Sequence, residues 1–514
     1  MAFINSFISW FIKKRIHQIE LFKKYPLEVQ NEWLNRLLIS AEETEWGERY
    51  DFSSIDNPEV FKNRVPINDY DDLKKDIERT RNGEQNILWG SEIRFFAKSS
   101  GTTSDKSKFI PVSDEALEDC HFKAGKDNLT LYYHNHENAR IFDGKGLIMG
   151  GSHNISEINN TSYYDGDLSA ILLQNMPFIG QIKSTPNLSI ALMAEWEDKI
   201  EKMAHETMNH DVTSISGVPS WTLVLIKRIL QLTGKTQLKE VWPNLEVFFH
   251  GGVNFDPYRS QYQQFLPPGS INYVEQYNAS EGFFAIQDLP DVQEMLLMLD
   301  YGIYYEFLPV ERLQDDQPRT CSLEEVETEK NYAMIITTNG GLWRYMIGDT
   351  VMFTNLNPFR IKITGRTKTF INAVGEELII DNAETALAIA CEKTGASIND
   401  YTAAPIYFSD KDTAGHEWII EFEKAPQNID FFCETFDNAL KTANSDYEAK
   451  RYNNMVLHKP LLRPVASGTF YRWMKKNGKL GGQNKVPRLS NNRQYVDSII
   501  KMLKDEGFQP SQKK

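Results

Sequence analysis

The chain has 514 residues, 41% of them hydrophobic and 25% charged. These are ordinary values for a packed soluble protein, but the length exceeds one simple domain of about 150 residues. Its 56 Lys and Arg against 71 Asp and Glu leave a formal net charge of −15, which excludes a general nucleic-acid binder because phosphate neutralisation needs a basic surface.

Cys120, Cys321, Cys391 and Cys433 lie far apart and form neither a zinc-ribbon pattern nor a disulfide framework. That usage fits a reducing, cytoplasmic setting. In residues 1–24, Phe3, Phe7, Trp10, Phe11 and Ile16 share one helical face beside Lys13, Lys14 and Arg15. The apolar run from Ala2 to Ile12 is interrupted by Asn5, Ser6 and Ser9 and falls short of the roughly 20 residues that a spanning helix needs. It also lacks the basic lead and cleavage site of a signal peptide. Two readings stand, a helix docked on the protein body and a weak membrane-surface helix. No other stretch approaches a transmembrane helix.

Residues 16–85 read mostly as helices, with helical apolar spacing over 27–39. A strand is predicted at 93–97, and Ser113 is placed to N-cap a helix whose first turn holds Glu115 and Glu118. Short apolar runs such as 146–149 then alternate with helical stretches such as 223–232, a mixed α/β pattern. Strands at 333–336 and 345–347 flank the turn signal Asn339-Gly340-Gly341. From 369 onward the texture is a smaller α+β pattern: a helix at 382–393, a hairpin of 404–408 with 418–422, and a helix at 429–443. This division predicts a large N-terminal domain over 1–366 and a small C-terminal domain over 367–514, with a short joint at 365–369.

Four motifs carry chemistry. Ser99, Ser100, Gly101, Thr102 and Thr103, followed by Asp105, Lys106 and Lys108, join hydroxyls, a glycine and ammonium groups in a way that suits polyphosphate. It is not a Walker loop, and a solvated polar turn is the competing reading. Tyr277, Asn278, Ala279, Ser280 and Glu281 follow a strand-like run. There the Tyr face suits a nucleobase and the Glu suits Mg²⁺, although many turns carry Ser-Glu. Trp343 to Asp349 presents an Asp after a strand, placed to accept bonds from ribose hydroxyls or simply to end the strand. Gly365-Arg366-Thr367-Lys368, with Gly375-Glu376 downstream, sets an Arg at the domain joint, where a charged inter-domain turn is the alternative.

In this order and spacing the four resemble the signature set of the adenylate-forming superfamily of acyl-CoA synthetases, luciferases and peptide-synthetase adenylation domains. Within it the chain is most similar to the GH3 acyl-acid amido synthetases. The stretch from Thr103 to Lys108 has the GH3 length, one residue longer than in the usual acyl-CoA synthetase. Val241-Trp242-Pro243-Asn244-Leu245 precedes His250-Gly251-Gly252 as in GH3 proteins. Gly482-Gln483-Asn484-Lys485-Val486-Pro487-Arg488 resembles the GH3 Gly-Gln-Tyr-Lys-x-Pro-Arg segment. Asp105 and Asn484 depart from the plant pattern, which has Gly and Tyr there.

The resemblance implies an α/β adenylate-forming fold, with a large N-terminal domain carrying a β-barrel-like subdomain and a small mobile C-terminal α+β domain. It implies ATP and Mg²⁺ as cofactors, and a carboxylic acid and an amino acid as substrates. Ser99 to Thr103 with Lys108 would hold the β,γ-phosphates, and Tyr277, Asn278, Ala279 and Ser280 would line the nucleotide, with Tyr277 beside adenine. Glu281 would ligate Mg²⁺, Asp349 with Arg366 would hold the ribose, and Lys485 would reach the α-phosphate. Catalysis would fall to Lys485, Glu281 and Lys108, with Lys368 as the hinge. Val218, Trp221, His250, Gly251, Gly252 and Phe283 would wall the acyl pocket, or be plain core. The expected molecule is a monomer or homodimer. Some GH3 members conjugate plant hormones such as jasmonate and auxin; this sequence names neither acid nor amine. Coenzyme A as acceptor, and a non-catalytic nucleotide-binding scaffold, are the two other readings.

Overall fold

The computed structural model describes residues 2–99, 108–150, 156–157, 163–193, 195–252, 255–290, 292, 294–313, 315, 317–367, 370–376, 378–408, 413–454, 456–477 and 488–506. Its centre is one 11-stranded sheet with two unlike halves. In the first, Ser184–Thr185, Lys145–Ile148, Val212–Gly217, Val247–Gly251 and Asn272–Ala279 lie side by side, all parallel. In the second, Gly282–Ile286, Met295–Leu297, Phe359–Arg366, Tyr345–Leu356, Asn331–Thr338 and Ile303–Pro309 follow in that spatial order, all antiparallel.

Among the parallel strands, Val247–Gly251 is covered on both faces. Every residue of Val247–Gly251 is buried. Phe248 stacks on Tyr262 of the helix Asp256–Phe265, while its neighbour Phe249 meets Tyr132 of the helix Lys123–Asn135. Alternate side chains of one strand thus reach helices on opposite faces. The expected β-barrel-like part is the antiparallel half, which continues directly from the parallel half. The predicted strands at 333–336 and 345–347 belong to it and meet at Ile336↔Tyr345.

A second, four-stranded sheet holds the strand predicted at 93–97. Ile93–Ser99 pairs antiparallel with Lys108–Ser113 and parallel with Tyr164–Gly166. Ser113 caps as its sequence position predicts, its Oγ accepting from the Ala116 amide at 3.0 Å. The helix there starts with wide π-type turns over Ala116–Phe122 before settling into α geometry at Lys123–Asn135.

The first helix, Ala2–Lys24, is docked on the body from Arg15 onward. Arg15 Nε donates to Asp127 Oδ1 at 2.8 Å and its NH2 to Asp300 Oδ1 at 2.9 Å, while Ile19 and Phe22 are buried. Removing one partner of such a buried pair costs about 3–5 kcal/mol, because the other charge is left buried and unpaired. The side chains of Phe3, Phe7, Trp10 and Phe11 lie outside those described. Among the described residues no helix is long and apolar enough to cross a membrane.

The C-terminal unit is α+β, as its sequence texture implies. Ser397–Phe408, Thr413–Lys424 and Leu461–Val465 form a three-stranded sheet, with Trp418 packed edge-on against Phe436 of the helix Ile429–Ala443. The hairpin is longer than predicted, pairing from Ser397↔Lys424 to Phe408↔Thr413, with an irregular register around Ile398 and an even one from Asp400 onward. Polar residues such as Glu417 interrupt the apolar signal without interrupting the ladder.

Candidate active site

Open α/β sheets bind ligands at the carboxyl ends of their parallel strands. Here those ends are Gly217, Gly251 and Ala279, followed by Val218 to Trp221, by Gly252 and by Ser280-Glu281. Three stretches far apart in sequence therefore meet along one edge. Ser280 and Glu281 are the two-residue tip between Ala279 and its partner Gly282, at the line where the sheet changes from parallel to antiparallel. Close packing dictates the glycines. A Cβ on Gly251 would sit 2.3 Å from the Gln276 carbonyl oxygen, and one on Gly217 would sit 2.7 Å from Met149 Cβ. No side chain is compatible with either approach.

Where the first motif predicts the nucleotide, Ser99 and Lys108 are cross-strand partners that close the hairpin of the small sheet. Lys108 is 8% exposed. Its Nζ donates to the Tyr345 hydroxyl at 3.2 Å and lies 5.8 Å and 5.7 Å from the ring centres of Tyr345 and Tyr70. The hydroxyl bond to Tyr345, with the Tyr70 ring nearby, gives the head group a defined seat. Burial pushes the Tyr345 hydroxyl well above its ordinary range and the neighbouring Glu281 charge pushes it the same way. Tyr345 stays a neutral phenol, and Glu281 is its electrostatic neighbour. The first motif thus bonds to a residue of the third, and the charge of the second acts on that same residue.

Tyr277 and Asp349 form the other pair. The Tyr277 hydroxyl donates to Asp349 Oδ2 at 2.8 Å, and the two residues are 3% and 7% exposed. Tyr277, expected beside adenine, has its ring in the core against Phe284; its hydroxyl orients the carboxylate. Asp349 is the register partner of Arg366, so the third and fourth motifs are adjacent strand positions. Gly348 has φ +99° and its carbonyl accepts from the Thr367 amide at 2.7 Å. That positive φ requires glycine and turns the strand beside Asp349.

The six predicted acyl-wall residues divide. Val218 and Gly252 are adjacent across the crevice, since a Cβ on Gly252 would meet Val218 Cγ2 at 3.4 Å, and Trp221 is half-buried in the first turn of Pro219–Thr233. Gly251 forms the floor. His250 and Phe283 are core residues, the plain alternative for both. The His250 ring stacks on Phe255 with centres 4.3 Å apart. Burial, with Arg259 adding, depresses its pKa to about 3. Phe283 packs edge-on against Tyr301, and its amide donates to Cys120 Sγ.

Ser100, Gly101, Thr102, Thr103, Lys368 and Lys485 lie outside the described residues, and so does the Arg366 side chain. Among the described residues no group of three or more His, Cys, Asp and Glu is placed to hold a metal ion. Mg²⁺ is commonly held by one or two carboxylates plus substrate phosphates, and Glu281 at the hairpin tip fits that mode.

Several buried polar residues in or around these elements escaped sequence reasoning. Tyr345 lies inside the third motif, where its alternation along the strand was the available signal. Tyr70 and the pair Asn128–Gln276, joined Nδ2 to Oε1 at 2.8 Å, had none. Lys199 is fully buried, donates to the Gly150 carbonyl at 3.1 Å and has its pKa lowered to about 8 by burial. A lysine in an amphipathic helix carries no mark of that position.

Three family models match the chain: the GH3 family N-terminal domain over residues 15–271, the central domain over 296–366 and the C-terminal domain over 381–494. The chain is 22% identical to the indole-3-acetic acid-amido synthetase GH3.3 of Arabidopsis thaliana, covering 94% of this chain and 92% of that one. Among solved structures it resembles GH3.15 acyl acid amido synthetase, with a TM-score of 0.60, 19% identity and 95% of each chain covered. It also resembles a 2-hydroxyisobutyryl-CoA ligase, with a TM-score of 0.56, 12% identity and 93% of this chain and 92% of that one covered. The likenesses in structure give the adenylate-forming ligase fold, and the N-terminal model alone spans half of the sequence: the chain belongs to the GH3 family.

Proposed function

We propose that the chain is an ATP-dependent acyl-acid amido synthetase. A carboxylate oxygen attacks the α-phosphorus of ATP, the bond to the β-phosphate oxygen breaks, and an acyl-adenylate and pyrophosphate result. An amino acid amine then attacks the activated carbonyl, AMP leaves and the amine gives up a proton. One observation supports this reading: Lys108 bonds to Tyr345 and Tyr277 bonds to Asp349, so the first and second motifs both engage residues of the third, on a sheet whose parallel strands end at the same motifs.

The residues divide the work by charge. Lys108, held by the Tyr345 hydroxyl beside Tyr70, offsets charge on the phosphates, with Ser99 opposite it, and a preorganised cation needs no reorganisation as charge shifts. Bound Mg²⁺ would neutralise the phosphate oxygens, and Glu281 is the side chain that would hold it. Asp349, fixed by Tyr277, accepts from the ribose hydroxyls. Val218, Trp221 and Gly252 face the acid, and Gly251 lets it approach the sheet. Lys485 is assigned to the α-phosphate on the strength of its motif. The large domain is taken as 1–366 and the small one as 367–514, which agrees with the central family model ending at 366. A cytoplasmic setting agrees with the four unpaired cysteines.

The test is ATP–pyrophosphate exchange across a panel of carboxylic acids that includes indole-3-acetate and jasmonate. At least one acid is expected to drive exchange; none doing so, in a protein that binds ATP, would leave the scaffold reading. With that acid, AMP release is expected to rise with an amino acid present. A rise with coenzyme A alone would replace amide formation by thioester formation.

A further inference from the structure

The helix Pro219–Thr233, which carries Trp221, touches the short helix Ser445–Lys450 of the C-terminal unit. At that contact sits an unusual cation. Lys450 is 1% exposed, yet its Nζ lies 5.6 Å from the Trp221 ring centre and donates to the Gly375 carbonyl. Its nearest carboxylate in an ion pair is Asp446, at 4.0 Å. A buried charge must be matched by polar partners, and an apolar residue of similar size packs as well or better where only packing matters. A lysine here makes one contact that methionine cannot. It ties a carbonyl of one unit to the face of an indole in the other.

The Gly375 turn is itself rigid. The Glu376 carboxylate accepts from the Ala373 and Val374 amides at 2.6 and 2.7 Å and pairs with His416 Nε2 at 2.6 Å, all of it buried. Asn444, six residues before Lys450, donates to the Glu376 carbonyl at 3.0 Å. On the other side, the Asn372 amide donates to Asn491 Oδ1 at 2.6 Å. Contacts therefore run without a break from Trp221 through Lys450 and the 372–376 turn to Asn491.

We propose that Lys450 is a positioning residue for the acid. It holds Trp221 and the first turn of the C-terminal unit in one arrangement, so that the acyl wall takes its shape only when that turn is seated. This rests on the ligase reading and on Trp221 facing the acid. Lys450 touches no reacting atom and acts through the indole.

The test is a double-mutant cycle of Lys450→Met and Trp221→Leu in the full-length protein. It is read as separate KM values for the acid and for ATP in pyrophosphate exchange, with indole-3-acetate and jasmonate as probe acids. Each single change is expected to raise the acid KM about tenfold while the ATP KM holds within about twofold, and the double change is expected to add little to the larger single effect, the mark of residues acting as one unit. Lys450→Arg, which keeps charge, donor and ring contact, is expected to restore the acid KM. If Lys450→Met does not fold, Lys450→Gln completes the cycle with the same expectation. Additive effects, an unchanged acid KM, or acid and ATP KM rising together would overturn the proposal while wild-type exchange leaves the ligase reading intact. No wild-type exchange with any acid would overturn both.

Discussion

The two sides of the crevice are built by opposite means. The proposed nucleotide side places charged groups, each steadied by a buried phenol: Lys108 by Tyr345 and Asp349 by Tyr277. The proposed acyl side places the ends of Val212–Gly217 and Val247–Gly251, where glycines bring backbones together and Val218 and Trp221 supply apolar surface. Charged groups need fixed direction, so each has a partner supplied from another part of the chain. An apolar wall needs only shape, and shape tolerates change. The contrast teaches that substitutions on the first side should act on chemistry, and those on the second on choice of acid.

The largest expected effect falls on the charges themselves. Glu281→Gln or Lys108→Met should lower pyrophosphate exchange about 10²–10³-fold, the usual cost of removing one charge-stabilising group. Activity within threefold of wild type would break the contrast outright. Next come the phenols. Tyr277→Phe removes a hydrogen bond to a buried carboxylate, worth about 1.5–3 kcal/mol when one partner is charged. It should raise the ATP KM at least tenfold and leave the acid KM alone; a change in the acid KM instead would mean that Asp349 does not serve the nucleotide.

On the other side, Val218→Ala should shift acid preference only a few-fold, below the roughly tenfold or more that a methylene gives in a fully closed pocket. ATP kinetics should be unmoved, and an effect on ATP as large as that of Tyr277→Phe would erase the division. The last expectation concerns stability rather than activity. Burial depresses the pKa of His250 to about 3, below the ordinary value of about 6.5 for an unfolded chain. The unfolded state therefore binds the extra proton first as pH falls. Stability is fully present above about pH 6.5 and is lost as pH falls toward 3. His250→Phe, which keeps the stack on Phe255, should lose about 2 kcal/mol less than wild type between pH 7 and pH 5. Parallel denaturation curves for the two proteins would place His250 in contact with solvent.

Much of this was legible in the sequence. The helix over Ile429–Ala443 and the cap at Ser113 follow from local spacing and side-chain chemistry, and those signals lie within a few residues of the structure they specify. The order of the four motifs gave the family and the crevice. The supports were not legible. Lys108 and Tyr345 are 237 positions apart, Tyr277 and Asp349 are 72 apart, and a phenol in an apolar strand looks like core until its partner is placed. His250 and Phe283 show the converse. Their neighbours reach the crevice, but strand alternation and packing turn these two side chains inward, and a motif carries no such facing information.

The pairing of Ser99 with Lys108 has a consequence for how this protein can vary. The eight residues between them, 100–107, leave and re-enter the fold at facing ladder positions. Adding one residue to a loop of that size costs only about 0.1 kcal/mol in closure entropy on the logarithmic scale, and the paired ends need not move. Length in this segment is therefore a nearly free variable for natural or laboratory evolution. It can change while Lys108 at its far end keeps its place in the ladder.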